Sequence, residues 1–399
     1  MRTLSRRASF WTSAAVAAIA LWTSAAPTVS YPLYAAEWDL TPAVTTAIFA
    51  VYPIVLVVVL AVFGNLSDYI GRRATILFGL AGSLVGVLLF ALAPSVEWLF
   101  VGRAFMGIGV ALSLSPATAA IVEFSAPGQS ARASSITTAS TAVGLILATL
   151  VGGALIEYAP LPTHLNYAVL AVVVAAVLAL AWFLPRHSSV ESRGRWRPRG
   201  LAVPSGIRRH FAIGAIAVTA AYAVGAVVLS LGADIAHTLI GSDNSLVNGA
   251  VLALNAVAIA VAAIAGRGLR PLTIVIAGGG AAIVGMSVMV LSSVEHSIVL
   301  FLVASIVTGV GYSFLFAGGL GVVSANAPAH HRAGTLSAVY LVAYFVQGVV
   351  ALTLGSIATG SGFQPALEIG AGAIAVLSIG AIVLSLAIGS RPAAEGATA

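Results

Sequence analysis

The chain has 399 residues, 60% hydrophobic and 8% charged, with a mean hydropathy of +1.07 and a net charge of +6. A soluble domain carries about 25% charged residues, so a soluble protein is excluded, and the absence of cysteine excludes disulfides, thiol catalysis and thiolate-held metals. A nucleic-acid surface is a poor reading of the charge, because all 18 basic residues are arginines and almost all fall in short segments between apolar runs.

Those runs are about 20 residues long, enough to cross a hydrocarbon core about 30 Å thick as helices. They show little period-2 alternation, which favours helices over a membrane barrel. Arg2, Arg6 and Arg7 lead into the first run, Phe10 to Tyr34. Ser5-Arg6-Arg7 and Ala25-Ala26-Pro27 imitate a twin-arginine signal and its cleavage region, but the remainder is as apolar as the start. The run is therefore expected to be span 1, and a secreted enzyme is excluded. Spans 2 to 6 are expected at Pro42–Phe63, Ala74–Ala93, Val96–Phe124, Ala133–Ile156 and Tyr167–Leu184. Spans 7 to 12 are expected at Phe211–Ala233, Leu246–Ala265, Leu272–Ser292, Ser297–Ala325, Thr335–Ala358 and Pro365–Ile388. The fold class is thus an all-α membrane protein with 12 transmembrane helices.

Between spans 2 and 3 lies Gly64-Asn65-Leu66-Ser67-Asp68-Tyr69-Ile70-Gly71-Arg72-Arg73. This stretch resembles the loop signature of the major facilitator superfamily of secondary transporters, Gly-x-Leu-x-Asp-x-x-Gly-Arg-Arg/Lys. The resemblance implies two six-helix bundles around a central cavity. It also implies that Asp68 latches onto the start of span 11, here Gly334-Thr335, and holds an inner gate shut. Gly64 and Gly71 allow tight turning and close approach of helix ends. Arg72 and Arg73 anchor the loop on the positive side, with Glu123 a possible partner for either. A bland alternative is that the loop is a charged turn that only fixes topology.

With a cytoplasmic N-terminus, 17 of the 18 arginines lie inside, and the opposite loops carry Glu37, Asp39, Glu97, Glu157, Asp243 and Glu295. Both termini are then cytoplasmic in a multi-pass cell membrane protein. The halves echo each other at an offset of about 200. Ser95-Val96-Glu97 matches Ser293-Val294-Glu295, and Gly107-Ile108-Gly109 matches Gly309-Val310-Gly311. Arg132-Ala133 matches Arg332-Ala333, and Gly71-Arg72-Arg73 matches Gly268-Leu269-Arg270. Parallel repeats of this kind place the substrate site near the midplane at the repeat interface. The expected domains are an N-terminal bundle (1–185), a cytoplasmic linker rich in Arg, Ser and Pro (186–210) and a C-terminal bundle (211–399).

Arg103 is the one arginine away from the positive side, about seven residues into span 4. It either marks a function within the membrane or snorkels outward to Glu37 or Asp39. Arg103-Ala104-Phe105-Met106-Gly107-Ile108-Gly109 is similar to the superfamily's span-4 motif Arg-x-x-Gln-Gly-x-Gly, which implies proton coupling; Met106 stands in place of the glutamine. Asp234 and Glu368, near outer span ends, are the further candidates for proton coupling. Gly144 to Gly153 in span 5 resembles the antiporter motif, with Ala148 and Thr149 replacing its Gly-Pro pair. No acid lies in the middle of span 1, which argues against a strongly cation-selective pocket. Candidates for the cavity wall are Tyr31, Tyr34, Tyr222, Asn255, Tyr312, Tyr340, Tyr344 and Gln347. Tyr340, Tyr344 and Gln347 share one helix face by their spacing.

No phosphate-binding loop, metal cluster or catalytic grouping is visible, so no cofactor, no metal and no enzyme activity is expected. The resemblance implies alternating-access efflux of a small organic molecule, a drug or metabolite, in exchange for protons. The expected partners are that substrate, protons and the lipid bilayer, with the protein a monomer. An importer or facilitator of sugars or metabolites, or a non-transporting sensor with the same fold, remains open at this point.

Overall fold

The structure, a computed structural model, describes residues 3–126, 130–186, 203, 205–238, 243–328 and 332–389. The side chains of 130–135, 233, 236, 238, 332, 333 and 389 are left aside. Twelve helices among the described residues are long and apolar enough to cross a membrane. Helix is the expected choice, because a spanning helix satisfies every backbone N–H and C=O within itself.

Span 1 is not one helix. It consists of Arg6–Ala25, a 3-10 turn Ala26–Ser30, and a short helix Tyr31–Trp38. Pro27 brings no N–H and fixes its own φ, so the winding changes there. Spans 2 to 6 are Pro42–Phe63, Arg72–Ala91, Val96–Phe124, Ser130–Tyr158 and Pro162–Ala181. Span 7, Arg208–Ser230, is followed after Leu231 by a short helix Gly232–Thr238, so both bundles open on a broken span. Spans 8 to 12 are Ser245–Ala265, Pro271–Val294, Ile298–Asn326, Arg332–Ser361 and Phe363–Gly389.

Matching helix contacts recur in the two halves of the chain. A methyl group added at Gly107 would lie 2.8 Å from the Tyr52 carbonyl of span 2, and one at Gly309 2.6 Å from the Asn255 carbonyl of span 8. Gly109 meets Ser83 of span 3 as Gly311 meets Ala282 of span 9. Gly86 meets Met106 as Gly285 meets Thr308. Small residues at these points let backbones touch, which drives helix association in lipid. The turns agree as well: Gly71 has φ 87° and Gly268 φ 85°, a left-handed conformation that favours glycine.

Two expectations need revision. Ser293-Val294-Glu295 is not the structural partner of Ser95-Val96-Glu97. Ser95 caps the start of span 4, whereas Ser293 and Val294 end span 9. The cap equivalent to Ser95 is Ser297, whose Oγ accepts from the Leu300 N–H at 3.4 Å. The loop between spans 2 and 3 is also more than a turn, since Leu66–Ile70 forms a helix of its own before Gly71. Most of the 186–210 linker, with Arg193, Arg195, Arg197 and Arg199, lies outside the described residues. So do Arg2 and Arg391 and the side chains of Arg132 and Arg332.

The bundles meet along two seams, span 2 against span 11 and span 5 against span 8. On the face that carries Glu37, Glu97 and Glu157, each seam is closed by one matched hydrogen bond. Ala43 N–H at the start of span 2 donates to Thr359 Oγ1 at the end of span 11, 2.8 Å. Ser245 N–H at the start of span 8 donates to Glu157 Oε2 at the end of span 5, also 2.8 Å. Ala43 and Ser245, like Glu157 and Thr359, are 202 residues apart. The two bonds are therefore one contact written twice, each satisfying an orphan N–H of a helix N-terminus. Thr28 Oγ1 in the break of span 1 donates to Leu229 O beside the break of span 7, 2.9 Å, and completes the closure near the pseudo-axis.

Candidate functional site

Arg103 is fully buried, which rules out the snorkelled position beside the exposed Glu37 and Asp39. Its Nη1 donates to Ser24 O at 2.8 Å. The change of winding in span 1 is what frees carbonyls near Ala26 from the α-helical ladder. The guanidinium carbon sits over three rings, at 5.1 Å from Tyr52, 5.5 Å from Phe49 and 6.0 Å from Tyr31. Each is a cation–π distance. Nε and Nη2 of Arg103 are buried without an acceptor, and the Tyr31 hydroxyl lies buried against the guanidinium.

In the C-terminal bundle, five rings from three spans form one cluster. Tyr222 of span 7 lies 4.5 Å from Tyr344 of span 11 and 6.3 Å from Tyr312 of span 10, between ring centroids. Phe316 lies 6.0 Å from Tyr222, 6.0 Å from Tyr312 and 6.2 Å from Tyr340. The shared face expected for Tyr340, Tyr344 and Gln347 is present, with Gln347 buried against Gly225. Tyr52 of the first bundle lies near Tyr312 and Tyr344 of the other. It thereby joins the Arg103 group to the tyrosine cluster.

Two other candidates sit elsewhere. Tyr34 donates to Thr163 O at 3.2 Å and packs on Trp38 and Phe90, inside the N-terminal bundle near its acidic face. Asn255 donates from Nδ2 to Ser305 O at 2.7 Å and to Thr308 Oγ1 at 3.1 Å, tying span 8 to span 10. Tyr52 and Phe49 carry no mark in the sequence, and Phe316 is not separable there from Ser313 and Phe314. Each is an aromatic in an apolar run, and nothing local sets it apart. The proline after Tyr52 is the one cue, since it disturbs span 2 at the level of the site.

Asp234, on the short helix after span 7, is buried and lies near Tyr31 of the opposite bundle. Burial pushes its carboxyl up to about 7. The pair His237 Nδ1 and Asp243 Oδ1, 3.2 Å apart, is exposed. Glu368 is exposed and accepts from Gln364 Nε2 at 2.8 Å.

At the arginine-rich face, Arg72 pairs with Glu123 at the end of span 4 and donates to Ala119 O at 3.0 Å. Arg73 lies 5.5 Å over the Trp182 ring after span 6. Both arginines thus bind the loop to its own bundle. Asp68 is exposed on its short helix, one turn before Gly71. A side chain at Gly64 would meet the Leu60 carbonyl at 2.4 Å. Among the described residues there is no group of three side chains able to hold a metal ion.

The family model described as Major Facilitator Superfamily matches residues 10–352. The multidrug efflux pump LfrA of Mycolicibacterium smegmatis is 38% identical over 124 residues, 30% of this chain and 24% of that protein. The uncharacterized MFS-type transporter EfpA of Mycobacterium tuberculosis is 31% identical over 131 residues, 32% of this chain and 24% of that protein. The matches thus span about a quarter of the length of these curated relatives. Among solved structures, a POT family transporter in complex with 5-aminolevulinic acid superimposes with a TM-score of 0.77 at 12% identity, covering 96% of each chain. A bacterial homolog of the human lysosomal transporter Spinster, inward-facing and unoccupied, gives 0.70 at 16% identity over 98% of this chain and 99% of the other. At such identities these likenesses establish the fold alone.

Proposed function

The chain belongs to the major facilitator superfamily, and from that premise we propose that it exports a small organic molecule by alternating access in exchange for protons. It is a multi-pass membrane protein of a family of transporters, not of enzymes. The single observation that carries the reading is the duplicated closure, Ala43–Thr359 and Ser245–Glu157, on one face of two matched bundles. A contact made twice about a pseudo-axis breaks twice when the bundles rock, so one rotation opens that face. Export is favoured by the likeness to the efflux pump LfrA.

The arginine-rich face is taken as cytoplasmic by the positive-inside rule, with both termini there and the bundles bounded at 185 and 211. In this assignment the acidic face is outside, and the closed seams correspond to an inward-facing state. Asp68 biases the opposite state by holding the start of span 11, where free helix N–H groups favour an acid by roughly 0.3–1 kcal/mol. Asp234 carries the exchanged proton, because a carboxyl that titrates near neutrality at the outer face loads and unloads over a physiological pH range. Arg103 stands between it and the cavity through Tyr31. The tyrosine cluster with Gln347 forms the wall against which the substrate rests.

The test is flux in proteoliposomes with an imposed pH gradient. Asp68→Asn is expected to abolish flux while the protein still reaches the membrane in normal amount. Undiminished flux removes the gating role, and substrate moving with the protons rather than against them replaces export by import.

A further inference from the structure

We propose that Arg103 anchors an anionic group of the transported molecule, so that the substrate is an organic anion with an aromatic or apolar body. The inference rests on the transporter reading and adds the chemical class of the substrate. An arginine stays protonated in any protein environment, and an unpaired cation in a membrane interior is costly. Arg103 is fully buried and makes no ion pair among the described residues. One hydrogen bond, to Ser24 O, occupies Nη1.

Nε and Nη2, the two nitrogens left over, share one edge of the guanidinium plane. That edge offers two parallel N–H donors, the geometry that grips a carboxylate bidentately. The Tyr31 hydroxyl, buried against the same guanidinium, is placed to donate to an anion held there. The three rings around Arg103 stabilise the positive charge without neutralising it. Asp234 lies near Tyr31 and forms no ion pair with Arg103, and the acid of span 1, Glu37, is exposed at its outer end. Ser305 occupies the equivalent position in the second bundle, so the positive charge has no duplicate. Tyr52, under this cation, lies near Tyr312 and Tyr344, where an aromatic body can stack.

The test uses three probes of one shape, 1-naphthoate, 1-naphthamide and 1-naphthylmethylammonium, titrated onto the purified full-length protein in detergent. Naphthoate is expected to raise the melting temperature and to bind at least tenfold more tightly than the amide, with the amine weakest. Arg103→Met is expected to lose at least tenfold in naphthoate affinity with the other two unchanged. Arg103→Lys, which keeps the charge and loses the two-pronged edge, is expected to fall between. The wild-type charge series and the lysine variant stand even where the methionine variant fails to fold. Tighter binding of the amine, unaltered naphthoate binding in Arg103→Lys, or no binding of any probe overturns the proposal. Flux of the probes in proteoliposomes separates the two readings. Naphthoate that binds without crossing sinks the transporter reading and leaves the anion site standing; transport of the amine in its place does the reverse.

Discussion

The two bundles share a skeleton and divide the chemistry. Gly107 and Gly109 make the same backbone contacts as Gly309 and Gly311, and the left-handed glycine after span 2 recurs after span 8. The polar equipment is not repeated. Arg103 with its three rings belongs to the first bundle, and Ser305 stands at its counterpart, where its carbonyl accepts from Asn255. The second bundle holds the tyrosines, and its counterpart of Tyr344 is Ala142. What must stay alike is where helices touch and pivot. The residues that meet a substrate are free to differ, because a single molecule is gripped from two unlike sides.

The largest expected effect is a common loss of stability. Gly109→Val and Gly311→Val each push a side chain into backbone, at 2.5 Å from Ser83 N and 2.6 Å from Ala282 N respectively. Each is expected to cost roughly 1–3 kcal/mol or more, since packed helices cannot retreat. Similar falls in melting temperature sharpen the comparison; a large fall at one site beside none at the other breaks it.

Asp234 is expected to show the asymmetry through pH. Its folded carboxyl is raised to about 7 from an ordinary value near 3.9. Keeping it ionised in the fold therefore costs stability, a cost that grows as pH rises from about 4 to about 7 and is constant above. Asp234→Asn is expected to raise the melting temperature more at pH 8 than at pH 5. An equal gain at both would show that burial does not shift this group.

The smallest effects are expected at the seams. Glu157→Ala removes an acid from a helix N-terminus, roughly 0.3–1 kcal/mol, and Thr359→Val removes a neutral hydrogen bond, about 0.6 kcal/mol. Both are expected to raise labelling of cysteines placed on the acidic face, Glu157→Ala by up to about fivefold and Thr359→Val by less. Labelling raised by one and lowered by the other would end the equivalence of the two seams.

The spans and the turn glycines were legible in the sequence, because lipid demands long apolar helices and a left-handed turn favours glycine. The Gly107 and Gly309 echo was legible too, since close packing of helices restricts the residue type. The seam bonds were not. Glu157 and Thr359 are different residues in equivalent roles, and Ala43 and Ser245 act through backbone N–H groups that any residue but proline supplies. The Ser-Val-Glu echo misled for the opposite reason, as identical residues begin one helix and end another. Tyr52 stayed hidden and Phe316 could not be ranked, because which aromatic faces which is fixed by helix crossings between distant spans.

Distances between spin labels in lipid nanodiscs test alternating access most directly. Labels at Leu161 and Asp243, both exposed, report the acidic face, and labels at Ile70 and Leu269, also exposed, report the arginine-rich face. Two populations are expected on each face, with the longer distance on one side gaining weight as the longer distance on the other loses it between pH 5 and pH 8. One fixed distance on both faces across that range would contradict two bundles rocking about a central site.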